Sequence, residues 1–122
     1  MNDNTVTVLV VDDEPRVLAL TARHLQRNGY TALTAAGGDE ALTLLESGEG
    51  VALVLTDCNM PGLSGPQLDK IILMRWPHIK VVAMSGRPRS PELPDQIEFL
   101  PKPFRSANLI AVVESVLNHE AA

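Results

Sequence analysis

The sequence predicts an α/β fold: a doubly wound five-stranded parallel sheet held between two helical layers as a three-layer sandwich, with the fourth helix shortened or absent. Three observations lead there. Short runs rich in Val, Leu and Ile alternate with segments of helical periodicity, and such alternation builds right-handed crossovers around a parallel sheet. The strand-like runs are apolar on both parities, as strands covered on both faces must be. The length, 122 residues, is that of one domain able to bury a core without disulfides or a structural metal.

The elements follow in order. Val6 to Val11 is an almost continuous β-branched run and reads as a central strand. Val17, Leu18, Leu20, Thr21, His24 and Leu25 then recur at helical spacing, with Pro15 near the start and Asn28-Gly29 at the end, where glycine commonly closes a helix. Thr31 to Ala35 is a short strand, Gly37 to Glu46 a helix, and Val51 to Thr56 a third strand. Pro66 to Arg75 carries the stripe Leu68, Ile71, Ile72 and Met74 and is stopped by Pro77. Ile79 to Met84 and Ile97 to Leu100 supply the last strands. Ser106 to Leu117 is an amphipathic helix, with Ser106 as its expected cap.

One interval breaks the rhythm. Arg87 to Asp95 contains Pro88, Pro91 and Pro94, too many prolines for a helix interior, so a loop or at most one turn is expected there.

Composition narrows the function. With 45% hydrophobic and 20% charged residues, no run approaches the roughly 20 apolar residues of a membrane span. The polar start, Met1 to Thr5, lacks the features of an export leader. A lone cysteine, Cys58, forms no internal disulfide, which suits a cytoplasmic address. A net charge of −5 without any basic run argues against direct nucleic-acid binding.

If the strands are placed correctly, Asp12 and Asp13 follow the first, Asp57 the third, Ser85 the fourth and Lys102 the fifth. In open α/β sheets that carboxyl edge is where ligands bind. Two aspartates after a strand are, alone, as well explained by the start of a helix; convergence of all five groups is not. Clustered carboxylates repel unless a cation sits among them, and a hard-oxygen set suits Mg²⁺. A carboxylate can attack phosphorus to form an aspartyl phosphate when a divalent cation and a positive side chain neutralise the transferring oxygens. Asp57 and Lys102 fit those roles. Ser85, between Met84 and Gly86, could donate to a phosphoryl oxygen, or be a simple turn serine.

Taken together, V-L-V-V-D-D-E from Val8, T-D-C-N-M-P-G-L-S-G from Thr56, M-S-G from Met84 and L-P-K-P-F from Leu100 resemble the response-regulator receiver family of two-component phosphorelay systems across nearly the whole chain. The resemblance implies one flavodoxin-like receiver domain over residues 1–122. It implies that Asp57 is phosphorylated from a phosphohistidine, with Mg²⁺ held by Asp13, Asp57 and the backbone carbonyl of Asn59, and by Asp12 mainly through water. Lys102 would contact the phosphoryl group, Ser85 would swing toward it after transfer, and the Lys102-Pro103 bond would be cis. Phe99 takes the place of the aromatic residue that reorients with the hydroxyl; lacking a hydroxyl itself, it would switch by packing alone. The implied partner is a sensor histidine kinase or a histidine phosphotransfer domain, and the only catalysis is the domain's own phosphoryl transfer and slow dephosphorylation.

The short interval between Ser85 and Lys102 departs from the family, since the usual fourth helix does not fit, and with it goes the usual output surface. Such shortening resembles receivers attached to hybrid sensor kinases, of which this chain would be one domain. Other readings fare worse. An aspartyl phosphohydrolase needs a second carboxylate two residues after the nucleophile, where Asn59 stands. A flavin carrier needs a phosphate-cradling loop where Asp12-Asp13-Glu14 would repel the phosphate. A receiver fold that had lost phosphorylation would lack one of the acid, acceptor or lysine positions. Cys58 reads as a small residue on the rim rather than a redox sensor, His24 and His78 have no partners at metal-ligand spacing, and His119, near the end of the sequence, is given no catalytic role.

Overall fold

The computed structural model describes residues 5–119; the polar start at 1–4 and residues 120–122 lie outside the described residues. The elements run β1 (Thr7–Val11), α1 (Pro15–Arg27), β2 (Thr31–Ala35), α2 (Gly38–Glu46), β3 (Val51–Asp57), α3 (Gly65–Arg75), β4 (Lys80–Ser85), β5 (Glu98–Pro101) and α4 (Ser106–His119). The five strands form one sheet in the order β2-β1-β3-β4-β5, every neighbouring pair parallel. Boundaries differ from the sequence reading by a residue or two, as helix and strand ends usually do.

Alternation along the strands divides the core. On β1, Leu9 and Val11 join Ala41 and Leu45 of α2 and Leu68 and Ile72 of α3 on one face. Val8 and Val10 join Leu25 of α1 and Leu109 and Val113 of α4 on the other. On β3 the alternation is interrupted once: the register against β1 shifts between Thr7 and Val8, whose partners are Val51 and Leu53. Val51 and Val54 therefore share a face, with Leu53 and Leu55 on the other.

Local chemistry starts and stops the helices. Pro15 opens α1, and Gly29 just beyond its end has φ 91°, a left-handed conformation that glycine adopts freely. A capping box opens α3, the Ser64 side chain accepting from the Gln67 N–H while the Gln67 side chain accepts from the Ser64 N–H. The expectation that Ser106 caps the last helix is corrected. Ser106 is the first helical residue, Arg105 precedes it, and the Asn108 side chain accepts from the Arg105 N–H at 3.3 Å. Asn108 lies three residues on and so reaches back to the cap position.

No helix forms between β4 and β5; two turns, at Pro91-Glu92 and Asp95-Gln96, fill the interval. Leu93, 3% exposed, fills the place of a helix face against the sheet, with Ile97 beside it. The Leu93 N–H donates to the Ser90 carbonyl and the Ile97 N–H to the Pro94 carbonyl.

Two core positions constrain β3 and α3. A Cβ on Gly65 would overlap the Asp57 carbonyl oxygen and come within 2.7 Å of Cys58 Cα, so only glycine lets α3 start this close to the end of β3. Asp69 is fully buried, accepts a 2.6 Å hydrogen bond from Thr56 Oγ1, and has no partner for Oδ2. Burial pushes its carboxyl up to about 7 against the opposing effect of the Thr56 bond.

Gly65→Ala should destabilise the domain by about 1–3 kcal/mol, read by urea denaturation, because overpacking against backbone has no flexible atom to displace. A buried acid that keeps its proton in the folded state, but releases it on unfolding, stabilises fully below its unfolded value of 3.8 and loses that contribution as pH rises to about 7. Wild-type stability should therefore fall relative to Asp69→Leu between about pH 4 and pH 7, by on the order of 4 kcal/mol, and run parallel to it above. Denaturation midpoints of the two proteins across that range check this.

Candidate functional site

Asp12 follows β1, Asp57 ends β3, Ser85 ends β4 and Lys102 follows β5, so the sheet delivers all of them to its carboxyl edge. The ladder continues past the strands to fix the approach: the Cys58 N–H donates to the Met84 carbonyl at 2.8 Å and the Lys102 N–H to the Ser85 carbonyl at 2.7 Å.

Lys102 is the hub of the side-chain arrangement. Its Nζ lies 2.8 Å from Asp12 Oδ2 and 3.3 Å from Asp57 Oδ1. Asp12 is almost fully buried, and its other oxygen, Oδ1, accepts from the Glu14 N–H at 2.9 Å. Asp57, 5% exposed, also accepts from the Asn59 N–H at 3.4 Å, again through Oδ1. Burial raises the Asp57 carboxyl above its ordinary range and the Asp12 charge adds to this, while Lys102 and the Asn59 N–H oppose it. Burial alone would lower the Lys102 ammonium, but its hydrogen bond to Asp12 and the charges of both aspartates outweigh that, and the net direction is up.

Asp12, Asp13 and Asp57 each offer a carboxylate oxygen within 4.8 Å of the others. With Lys102 as the one cation bonded among them within the described residues, two negative charges remain over, and the donors are all hard oxygens. That set fits a small divalent cation such as Mg²⁺, which prefers carboxylates with retained water. The exposed position of Asp13 keeps the cluster open to solvent.

Ser85 is buried, and its Oγ accepts from Asn59 Nδ2 at 2.9 Å and from the Arg87 N–H at 3.0 Å. Phe99 is half-buried and packs with the Leu93 and Ile97 cluster. The Lys102-Pro103 peptide is cis. Cys58 is half-buried, and burial with the charges of Asp69 and Asp57 pushes its thiol up to about 11, which disfavours the thiolate at neutral pH.

Sequence reasoning missed Asp69, the Asn59 side chain and the Arg87 N–H. A carboxylate next to Leu68 and three before Ile72, inside the apolar stripe of α3, was a readable sign of the first. The other two depend on how loops fold back on Ser85, for which no pattern exists.

Residues 8–114 match the family of the response regulator receiver domain. The chain is 37% identical over 95% of its length to sensor kinase CckA of Brucella abortus. It is 34% identical to the crystallised receiver domain of hybrid histidine kinase CckA, covering 91% of this chain and 98% of that one with a TM-score of 0.79. It is 33% identical to the response regulator TrrA of Thermotoga maritima, solved in complex with Mg²⁺-BeF, covering 93% of this chain and all of that one with a TM-score of 0.83. The chain spans only 13–21% of the length of the first curated relatives it matches. With the five-stranded parallel sheet and the acidic cluster at its carboxyl edge, these likenesses show that the chain belongs to the response regulator receiver domain family, a signalling module of two-component systems.

Proposed function

We propose that Asp57 is the phosphoacceptor of this receiver domain, that Asp12, Asp13, Asp57 and the backbone carbonyl of Asn59 form its Mg²⁺ site, and that Lys102 and Ser85 bind the phosphoryl group. The observation that carries the reading is the position of Lys102 Nζ, within 3.3 Å of the Asp57 oxygen and bonded to Asp12 beside it. An ammonium held there meets the oxygens of a group arriving on Asp57, where charge accumulates during transfer.

The carboxylate of Asp57 attacks phosphorus, the P–N bond of a phosphohistidine breaks, and the imidazole leaves with the electron pair and takes up a proton. Lys102 and the Asn59 N–H both contact Asp57 through Oδ1, and we assign the attack to Oδ2. Mg²⁺, when bound, supplies neutralisation of the phosphoryl oxygens. Asp12 has both oxygens engaged, by Glu14 N–H and Lys102, which suits contact with the ion through water. After transfer Ser85 gives up its Asn59 and Arg87 donors and donates to a phosphoryl oxygen, while Phe99 follows by repacking.

The donor is a sensor histidine kinase or a histidine phosphotransfer domain, and this chain is one receiver domain of such a relay in the cytoplasm. A groove of about 470 Å³ beside Lys102, lined by Val17, Leu20, Pro103 and Phe104, offers an apolar surface to that donor, with Leu20 54% exposed. Among the described residues no helix is long and apolar enough to cross a membrane, and the net charge of −5 disfavours contact with nucleic acid. A phosphohydrolase reading lacks its second acid, because Asn59 stands at that position and its amide is bonded to Ser85.

Incubation with acetyl phosphate and Mg²⁺ should add one phosphoryl group to the intact protein by mass spectrometry, and Asp57→Asn should stay unmodified. Normal modification of that variant would show the acceptor to be misplaced. Asp13→Ala should raise the Mg²⁺ concentration needed, whereas Lys102→Ala should slow modification by about 10²-fold at saturating Mg²⁺. Equal sensitivity of both variants to Mg²⁺ would contradict the division of roles.

A further inference from the structure

The segment between β4 and β5 is built as a stiff, closed unit. The Arg89 guanidinium donates to the Ile97 carbonyl through Nη1 at 3.0 Å and to the Pro94 carbonyl through Nη2 at 2.6 Å. This planar fork closes the base of the loop with two charge-assisted bonds. Within the closure, Glu92 N–H donates to Ser90 Oγ, and Leu93 N–H and Ile97 N–H bond back to Ser90 and Pro94. Pro91 and Pro94 fix their own φ angles and restrict the residues before them.

The unit touches the site at one end and β5 at the other. Toward the site, Arg87 N–H is one of the two donors on Ser85 Oγ, and Pro88, the single residue between Arg87 and Arg89, limits how far that link can flex. Toward the sheet, Ile97 runs directly into β5 at Glu98, and Phe99 packs in the same cluster as Leu93 and Ile97. A hydroxyl that releases Arg87 N–H frees one end of a strut whose other end is the start of β5.

We propose that Arg89 is a positioning residue that transmits the hydrogen-bonding state of Ser85 to β5 and Phe99, performing through the proline-braced loop the transmission that no helix is present to perform. The inference rests on the reading of Ser85 as the hydroxyl that moves to the phosphoryl group. Coupling physically requires a two-state element that the site biases, and the loop with Ser85 bonded to the Arg87 N–H is one of its two states.

The test uses beryllofluoride with Mg²⁺ as the phosphoryl mimic on Asp57, and reads backbone amide shifts of Ile97, Glu98 and Phe99 by NMR. Wild type should shift at all three on saturation. Arg89→Ala should bind beryllofluoride within about twofold of wild type yet show those shifts reduced to less than half. Arg89→Lys keeps the charge but loses the fork, and should be reduced as well, which guards against loss of fold in the alanine variant. Pro88→Gly, with the guanidinium intact, should weaken the shifts through a softer link. Full-size shifts in both Arg89 variants overturn this inference alone; a wild-type protein that binds no beryllofluoride overturns it together with the acceptor reading.

Discussion

The contact between Lys102 and the paired carboxylates of Asp12 and Asp57 is the constraint around which the rest of the structure is arranged. Three acids within 4.8 Å repel one another, and two of them are almost buried, where the low polarity of the surroundings strengthens the repulsion. One ammonium bonded to two of them offsets part of that cost without removing the negative excess that draws in a cation. The sheet order serves this arrangement: β1 and β3 are neighbours, β4 follows, and β5 brings Lys102 across from the edge. A fold in which any of these strands changed places would separate the ammonium from the acids.

Most of this was legible in the sequence because each ingredient leaves a periodic or positional trace. Strand runs apolar on both parities can only be buried between two layers, so Val8 to Val11 and Leu53 to Leu55 marked the sheet. Once the strands were placed, Asp12, Asp57, Ser85 and Lys102 fell at their ends. The three prolines after Arg87 announced the missing helix. What could not be read is set by tertiary geometry. Ser106 looked like a cap, but the chain enters α4 one residue earlier and Asn108 takes the capping role. The partner of Asp69 is likewise set by packing, since the turn of α3 points its carboxyl at Thr56.

Support for Asp57 also comes from the opposite face of the sheet. Thr56 and Asp57 are consecutive, so their side chains leave β3 on opposite sides. Thr56 is tied to α3 through Asp69, and Asp57 is tied to Lys102. The end of β3 is therefore held from both faces, and Gly65 brings the helix backbone against Asp57 and Cys58. Rigid support of this kind keeps the Asp57 carboxylate in one orientation, which loops alone seldom achieve.

The interruption of alternation near the start of β3 bears on how such a chain can tolerate changes of length during evolution. Parity along a strand works like a reading frame: removing one residue inverts every side chain downstream of the deletion relative to the two layers. Here the irregularity lies between Val51 and Leu53, at the end of the strand remote from Asp57. An inserted or lost residue there, or in the glycine turn at Gly48 and Gly50 before it, leaves the frame of Leu53 to Asp57 intact. The same event past Leu53 would present Thr56 or Cys58 where the carboxylate belongs, so indels in this strand are filtered by position rather than by number.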